Sequence, residues 1–184
     1  MNILGLTIGI ASCLIIFRYV AYEKSYDNFS KADQIVRLRL DTYQDGKLAW
    51  QSAAVYPAFA PNMKKDFPEI EGYCRLAPAE LSLSNDERDV EFNERKGYYA
   101  DPSFFSMFDI EIVQGNPENM LSGLNKIVLS TDMARKYYGN ENPIGKVLTY
   151  RTPFFIRTFK VTGIFKPPAH SHPTCPPFRC VNYN

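Results

Sequence analysis

Hydrophobic and polar positions divide the chain into two unequal parts. From Met1 to Phe17 no side chain ionises, and Ile3, Leu4, Leu6, Ile8, Ile10, Leu14, Ile15, Ile16 and Phe17 dominate. Extended through Arg18 to Tyr22 this makes a helix of about 21 residues, about 31 Å long, close to the hydrocarbon thickness of a bilayer. Arg18 sits where its charge can snorkel, and Tyr19, Tyr22 and Tyr26 suit the wet interface at that end. A cleaved signal peptide would carry a basic leading region, but no Lys or Arg precedes position 18. Ile10-Ala11-Ser12-Cys13 loosely imitates a lipoprotein box, yet the apolar run continues to Phe17. A buried core helix would show a polar face somewhere in such a length, and this run has none. Residues 1–24 therefore read as one transmembrane helix. Within it Gly5 and Gly9 form a G-x-x-x-G, which puts two glycines on one face as a candidate helix-packing surface.

From residue 25 the patterning changes to short alternating strand and helix signals. Val36, Leu38 and Leu40 alternate with Arg37, Arg39 and Asp41, and Asp45-Gly46 then predicts a hairpin turn into Leu48 to Gln51. Phe59, Met63 and Phe67 recur at helical spacing between Pro57 and Pro68 and predict a packed helix. Further strands are predicted over 70–76, 81–84, 89–96, 126–130, 145–150 and 154–166. A short helix is predicted over 102–108, and a second from a Ser130/Thr131 cap to Tyr138, with Gly139 just past its end. There is no regular βαβ alternation and no internal repeat. The fold class is α+β: one N-terminal transmembrane helix (1–24), a mixed α+β extracytoplasmic domain (25–170), and an atypical, disordered tail (171–184).

Composition narrows the function classes. Hydrophobic residues make up 45% of the chain and charged residues 22%, enough apolar surface for a globular fold. Lys plus Arg number 21 and Asp plus Glu 20, a balance that lacks the basic footprint of a nucleic-acid binder. Cys13, Cys74, Cys175 and Cys180 are too few and too irregular for a disulfide framework.

The search for catalytic chemistry is negative. Both histidines, His170 and His172, lie near the C-terminus, so the body of the domain has no imidazole for a triad, a proton shuttle or a zinc site. Glu69 with Glu71 and Asp109 with Glu111 read as solvated carboxylates at strand edges and loops. Asn140 to Val147 is a near miss to a phosphate-binding loop: Gly145-Lys146 is present, but Asn140 replaces the first glycine, Val147 replaces the Ser/Thr, and a strand follows instead of a helix. It reads as a turn. His170, His172, Cys175 and Cys180 are zinc-ligand types, but three prolines among them limit how the backbone could wrap an ion. No catalytic, cofactor or metal residue is assigned.

Several strings together resemble one family. Asn2 to Ala11, Tyr22 to Phe29 and Ala32 to Arg37 are similar to the first transmembrane helix and domain entry of MacB/FtsX-like ABC transporter permeases. Tyr99 to Phe108, Gly115-Asn116-Pro117, Ile127 to Ser130, Met133 to Lys146 and Val161 to Lys166 resemble the large extracytoplasmic domain of the same family in the same order. The resemblance covers nearly the whole chain up to about His172.

The resemblance implies a permease subunit with four membrane helices and its soluble domain between the first and second. It implies an inner-membrane location with the domain facing the periplasm, a homodimer or permease pair, contact with membrane lipid, and a cytoplasmic ABC ATPase as partner. The domain would transmit ATP-driven motion for export or envelope remodelling and would not itself be an enzyme. Relative to the family the chain reads as truncated at both ends, compatible with a fragment or a reading-frame change. The subdomain begun by residues 35–76 is then expected to carry an uncovered apolar face. The alternative is a self-contained membrane-anchored extracytoplasmic binding or sensor module.

Overall fold

The structure is a computed structural model that describes residues 2–24, 29–168 and 180–182. Helix α1 (Asn2–Glu23) is the apolar N-terminal segment. It is the one helix among the described residues long and apolar enough to cross a membrane, with mean hydropathy 2.1 and none of its window buried. Inside it Thr7 Oγ1 and Ser12 Oγ donate to the carbonyls of Ile3 and Ile8, one turn back, so neither hydroxyl faces hydrocarbon unpaired.

Strands β1 (Leu40–Gln44) and β2 (Lys47–Ser52) form a separate two-stranded hairpin. Asp45 and Gly46 at its turn have φ of 51° and 73°, the left-handed pair that a two-residue hairpin of matching twist needs. The strand begins later than predicted. Leu40 is already opposite Ser52, and the chain beyond Ser52 turns away towards Pro57, so among the described residues no strand pairs with 36–39. Helix α2 (Phe59–Asp66) forms where the apolar spacing placed it, but none of its residues is buried. Phe59 and Phe67 stay half exposed, so the predicted packing is absent among the described residues.

The remaining strands are β3 (Leu76–Asn85), β4 (Val90–Ala100), β5 (Ile112–Gln114), β6 (Lys126–Ser130), β7 (Val147–Arg151), β8 (Ile156–Phe165) and β9 (Cys180–Asn182). They make one sheet in the order β5-β8-β6-β9-β4-β3-β7, with β7 also paired to β8. The β7–β8 pairing closes the circuit β8-β6-β9-β4-β3-β7 into a ring and leaves β5 on its outside. The predicted strand over 70–76 is confined to its last residue, because Leu76 is opposite Ala100 and β4 ends there, before Pro102.

Residues 171–184 were expected to be a disordered tail, and at 180–182 the structure differs. That segment is β9, parallel to β4 at Tyr98 to Ala100 and antiparallel to β6 at Ile127 and Val128. The facing edges of β4 and β6 both need backbone partners, and β9 supplies them to β4 through three residues and to β6 through two, Cys180 and Val181. The rest of the tail, 171–179 and 183–184, lies outside the described residues.

Two helices brace the sheet: α3 (Phe104–Met107) and α4 (Thr131–Tyr138). Ser130 caps α4 by accepting from Met133 N at 3.3 Å, and Gly139 ends it with φ 65°. The interior is two clusters. One joins Leu83, Ile127, Leu129, Tyr137, Leu148 and Val161 under α4. The other joins Ala100, Phe104, Phe105, Met120, Val128 and Phe165 under α3. Strand β6 alternates between them, so both its faces are buried, which explains its unbroken apolar run.

Candidate functional site

Since no catalytic constellation was expected, the functional geometry is sought where the membrane helix meets the domain. Six residues after α1, the Phe29 ring meets Phe108 at 5.5 Å, and Ser30 N donates to Asp109 Oδ2 at 2.8 Å. The hydrogen bonds from Ser30 hold the Asp109 carboxyl below the usual carboxylate range. Asp109, expected as a solvated carboxylate, therefore holds the chain entry. Glu111, two residues on, pairs with Lys166 Nζ at 3.0 Å beside the end of β8.

The chain returns from residues 31–71 to the same place. Ser103 Oγ donates to Tyr73 O at 2.6 Å. Arg75 forks onto Asp101, with Nε and Nη2 at 2.9 and 2.7 Å, and its backbone N also donates to Asp101 Oδ2 at 2.9 Å. Asp101 is nearly buried, so this bidentate pair is worth more than a surface bridge. Cys74 next to it is packed against the α3 cluster, and burial first, then the Asp101 charge, pushes its thiol up to about 12. It is an inert packing residue. No sequence signal marked Arg75 and Asp101, which are separated by 26 residues.

A second polar lock fixes α4. Glu94 is 4% exposed; its Oε1 accepts from Lys136 Nζ at 2.8 Å and from Tyr137 OH at 3.0 Å. Lys136 Nζ also lies 3.9 Å from the centre of the Phe92 ring.

The turn at 140–147 has the geometry of a turn and no phosphate cradle. Gly145 N donates to Val161 O at 2.8 Å, Ile144 N to Asn142 Oδ1 at 3.1 Å, and Lys146 Nζ pairs with Glu141. These donors are engaged within the protein, and β7 follows directly. Among the described residues no group of three or more His, Cys, Asp or Glu side chains could hold a metal ion. His170, His172 and Cys175 lie outside those residues. Gly5 and Gly9 sit on α1 with nothing within 4 Å of a Cβ placed at either.

These elements, an apolar helix leading into a braced α+β domain, agree with a family model that matches residues 1–174: the MacB-like periplasmic core domain. The chain belongs to that family. This MacB-like domain has its fold in common with a domain described as that of a permease protein from Porphyromonas gingivalis. The identity is 22%, the TM-score 0.56, and the match covers 67% of this chain and 51% of that one. It also matches the periplasmic region of MacB from Actinobacillus actinomycetemcomitans at 17% identity and TM-score 0.44, over 64% of this chain and 52% of that one. The extracellular domain of the noncanonic ABC-type transporter YknZ from Gram-positive bacteria matches at 18% identity and TM-score 0.47, over 70% and 65%. The chain thus spans about half the length of the first two solved domains. No curated protein matches it. The apolar helix and the MacB-like domain together describe a membrane-anchored protein.

Proposed function

We propose that this chain is a permease subunit, or part of one, of an ABC transporter. Its α1 anchors it in the inner membrane, and its MacB-like domain faces the periplasm and passes on motion driven by a cytoplasmic ATPase. The observation that carries this reading is the family match, which begins at residue 1 and so takes in the apolar helix together with the domain. The closed strand ring and the locks Arg75–Asp101 and Glu94–Lys136 support it, because a transmitting element must resist deformation. Chemistry is assigned to the partner ATPase and none to this chain. Gly5 and Gly9 are proposed as the face on which α1 meets another membrane helix, in a homodimer or a permease pair.

Topology tests the core of the proposal. Glu118 is exposed, so Glu118→Cys should react with a membrane-impermeant maleimide on intact spheroplasts, measured against the unsubstituted chain. Labelling that needs lysis overturns the orientation. Gly5→Ile with Gly9→Ile should leave the domain folded and reduce chemical cross-linking of the chain in membranes; unchanged cross-linking removes the glycine face from the interface.

A further inference from the structure

Residues 101–111 link β4 to β5 through α3, and three other passages of the chain are fastened to them. At the entry, Phe29 stands edge-on to Phe108 and Ser30 N donates to the Asp109 carboxylate. On the return, Ser103 Oγ donates to Tyr73 O and Arg75 forks onto Asp101. At the end of β8, Lys166 N donates to Glu111 O at 2.9 Å, and its Nζ pairs with the Glu111 carboxylate. The entry fastening also holds an unusual backbone. Asp109 has φ 47°, in the left-handed region that a residue other than glycine rarely adopts. A residue in that region is kept there by its surroundings, and the Ser30 N–H on its carboxylate is one of the contacts that keep it.

Aromatic rings make the entry continuous with the sheet. Phe29, Phe108, Phe104, Phe105 and Phe165 follow one another with ring centres 5.5, 5.2, 5.1 and 5.8 Å apart, and no pair lies face to face. These are the separations and tilts that aromatic pairs favour. Phe104, Phe105 and Phe165 are buried, so the run starts at the chain entry and ends inside the cluster under α3. Close-packed rings pass a push on instead of yielding to it. Phe29 is a member of neither interior cluster, so the core does not need it for packing. What Phe29 adds is a link towards α1. Lys24, just past that helix, is five residues from Phe29, and a chain of that length spans at most about 17 Å.

We propose that 101–111 is the joint that holds α1 to the strand ring, with Phe108 and Asp109 as its positioning residues, so that helix and ring turn together. The proposal rests on the reading of this chain as a permease subunit that passes on motion, and it names where that motion enters the domain. Lys24 and Arg135 are exposed, one beside α1 and the other on α4. Spin labels are attached at these two positions of the full chain through genetically encoded ketone side chains, which leaves the four native cysteines untouched. The chain is held as single copies in nanodiscs, and the distance between the labels is measured by pulsed electron paramagnetic resonance. The unsubstituted chain should give one narrow distribution. Phe29→Ala with Asp109→Gly removes the first ring and the carboxylate while glycine keeps the left-handed backbone, and the distribution should broaden by at least about twofold as 24–30 becomes a hinge. Phe29→Tyr with Asp109→Asn keeps a ring and an acceptor oxygen for Ser30 N, and should restore the narrow distribution. Thermal unfolding of the domain should be the same in all three chains. A broad distribution in the unsubstituted chain, or an unchanged width after Phe29→Ala with Asp109→Gly, overturns the proposal. Broadening that comes with a fall in Tm assigns the rings to core packing, and also overturns it. The label distance does not depend on which side of the membrane the domain faces. Failure of the Glu118→Cys labelling therefore removes the permease topology alone, and failure of the distance measurement removes the joint alone.

Discussion

Removing the amine of Lys136 should destabilise the domain far more than removing that of Lys146, although both lysines pair with a glutamate. The two pairs differ in their surroundings. Glu94 is 4% exposed and Lys136 37%, whereas Glu141 is 58% exposed. At 2.8 Å and an effective dielectric of 20 the Glu94–Lys136 attraction is about 6 kcal/mol gross, most of it offset by taking the carboxylate out of water. In Lys136→Met the carboxylate loses this cation while the Tyr137 hydroxyl still donates to it, and a buried charged acceptor that loses a charged partner costs about 2–3 kcal/mol. That figure lies below the 3–5 kcal/mol of a wholly buried pair because water reaches Lys136. For a domain of this size it corresponds to a fall in Tm of about 4–12 °C. Lys146→Met should change stability by less than about 1 kcal/mol. Glu94→Gln combined with Lys136→Met should lose less than the two single changes added, with a coupling of about 1–2 kcal/mol. Thermal unfolding followed by far-UV circular dichroism is the right assay, since the emission of Trp50, in β2, reports on the hairpin and not on α4. Equal shifts for Lys136→Met and Lys146→Met, or a coupling below about 0.3 kcal/mol, would refute the argument and show Glu94 to be hydrated.

Three further outcomes are expected. A Cβ at Gly97 would stand 2.7 Å from the backbone oxygen of Ala79, so Gly97→Ala should cost about 1–3 kcal/mol in thermal unfolding, while Gly72→Ala, whose nearest neighbour is at 3.8 Å, should be close to neutral. Hydrogen bonds from Arg151, then from Ser84 and Thr149, draw the Asp86 carboxyl down to about 2. A carboxyl depressed in the folded state adds stability above its ordinary value near 4 and loses it as pH falls towards 2, so the advantage of the native chain over Asp86→Asn should disappear across that window. Asp86 is half exposed, which keeps the advantage under about 1 kcal/mol; a gap that stays constant with pH refutes the pairing. In detergent, amide hydrogens of 36–67 should exchange much faster than those of 81–85 and 126–138, and equal protection would show this segment to be packed.

The elements that could be read from the sequence are those whose signals are local. Ser130, the apolar face of Met133 and Tyr137, and Gly139 specify α4 within ten positions, and the structure uses each of them. Asp45-Gly46 fixes the hairpin turn in the same way. The misreadings fall where an element depends on a remote partner. Val36 and Leu38 alternate as a strand should, yet among the described residues no strand lies opposite them. Phe59, Met63 and Phe67 have helical spacing, and the helix forms, but spacing alone does not provide a surface to pack on. Strand β5 was missed because three residues show no period, and β9 because composition rich in His, Cys and Pro says nothing about two free edges 28 residues apart, at Ala100 and Val128. Arg75 with Asp101 and Glu94 with Lys136 were invisible for the same reason: each is an ordinary surface residue until the sheet brings its partner up.

The arrangement of the two interior clusters bears on how such a domain could pass on motion. Strand β8 is about 30 Å long at 3.3 Å per residue, and its Phe165 packs with Phe104 and Phe105 above the chain entry while its Phe159 and Val161 pack under α4. Strand β6, parallel to it, puts Val128 into the first cluster and Ile127 and Leu129 into the second. No loop intervenes between the clusters along either strand. A displacement of the base at Phe108 and Asp109 would therefore reach α4 through β6, buried on both faces, and through the buried face of β8 at Phe159, Val161 and Phe165, and close-packed interiors transmit strain instead of absorbing it. Residues 36–67 are the opposite case: among the described residues none of them belongs to either cluster. Under the proposed function the ring moves as one body, and residues 36–67, outside both clusters, can move without disturbing it.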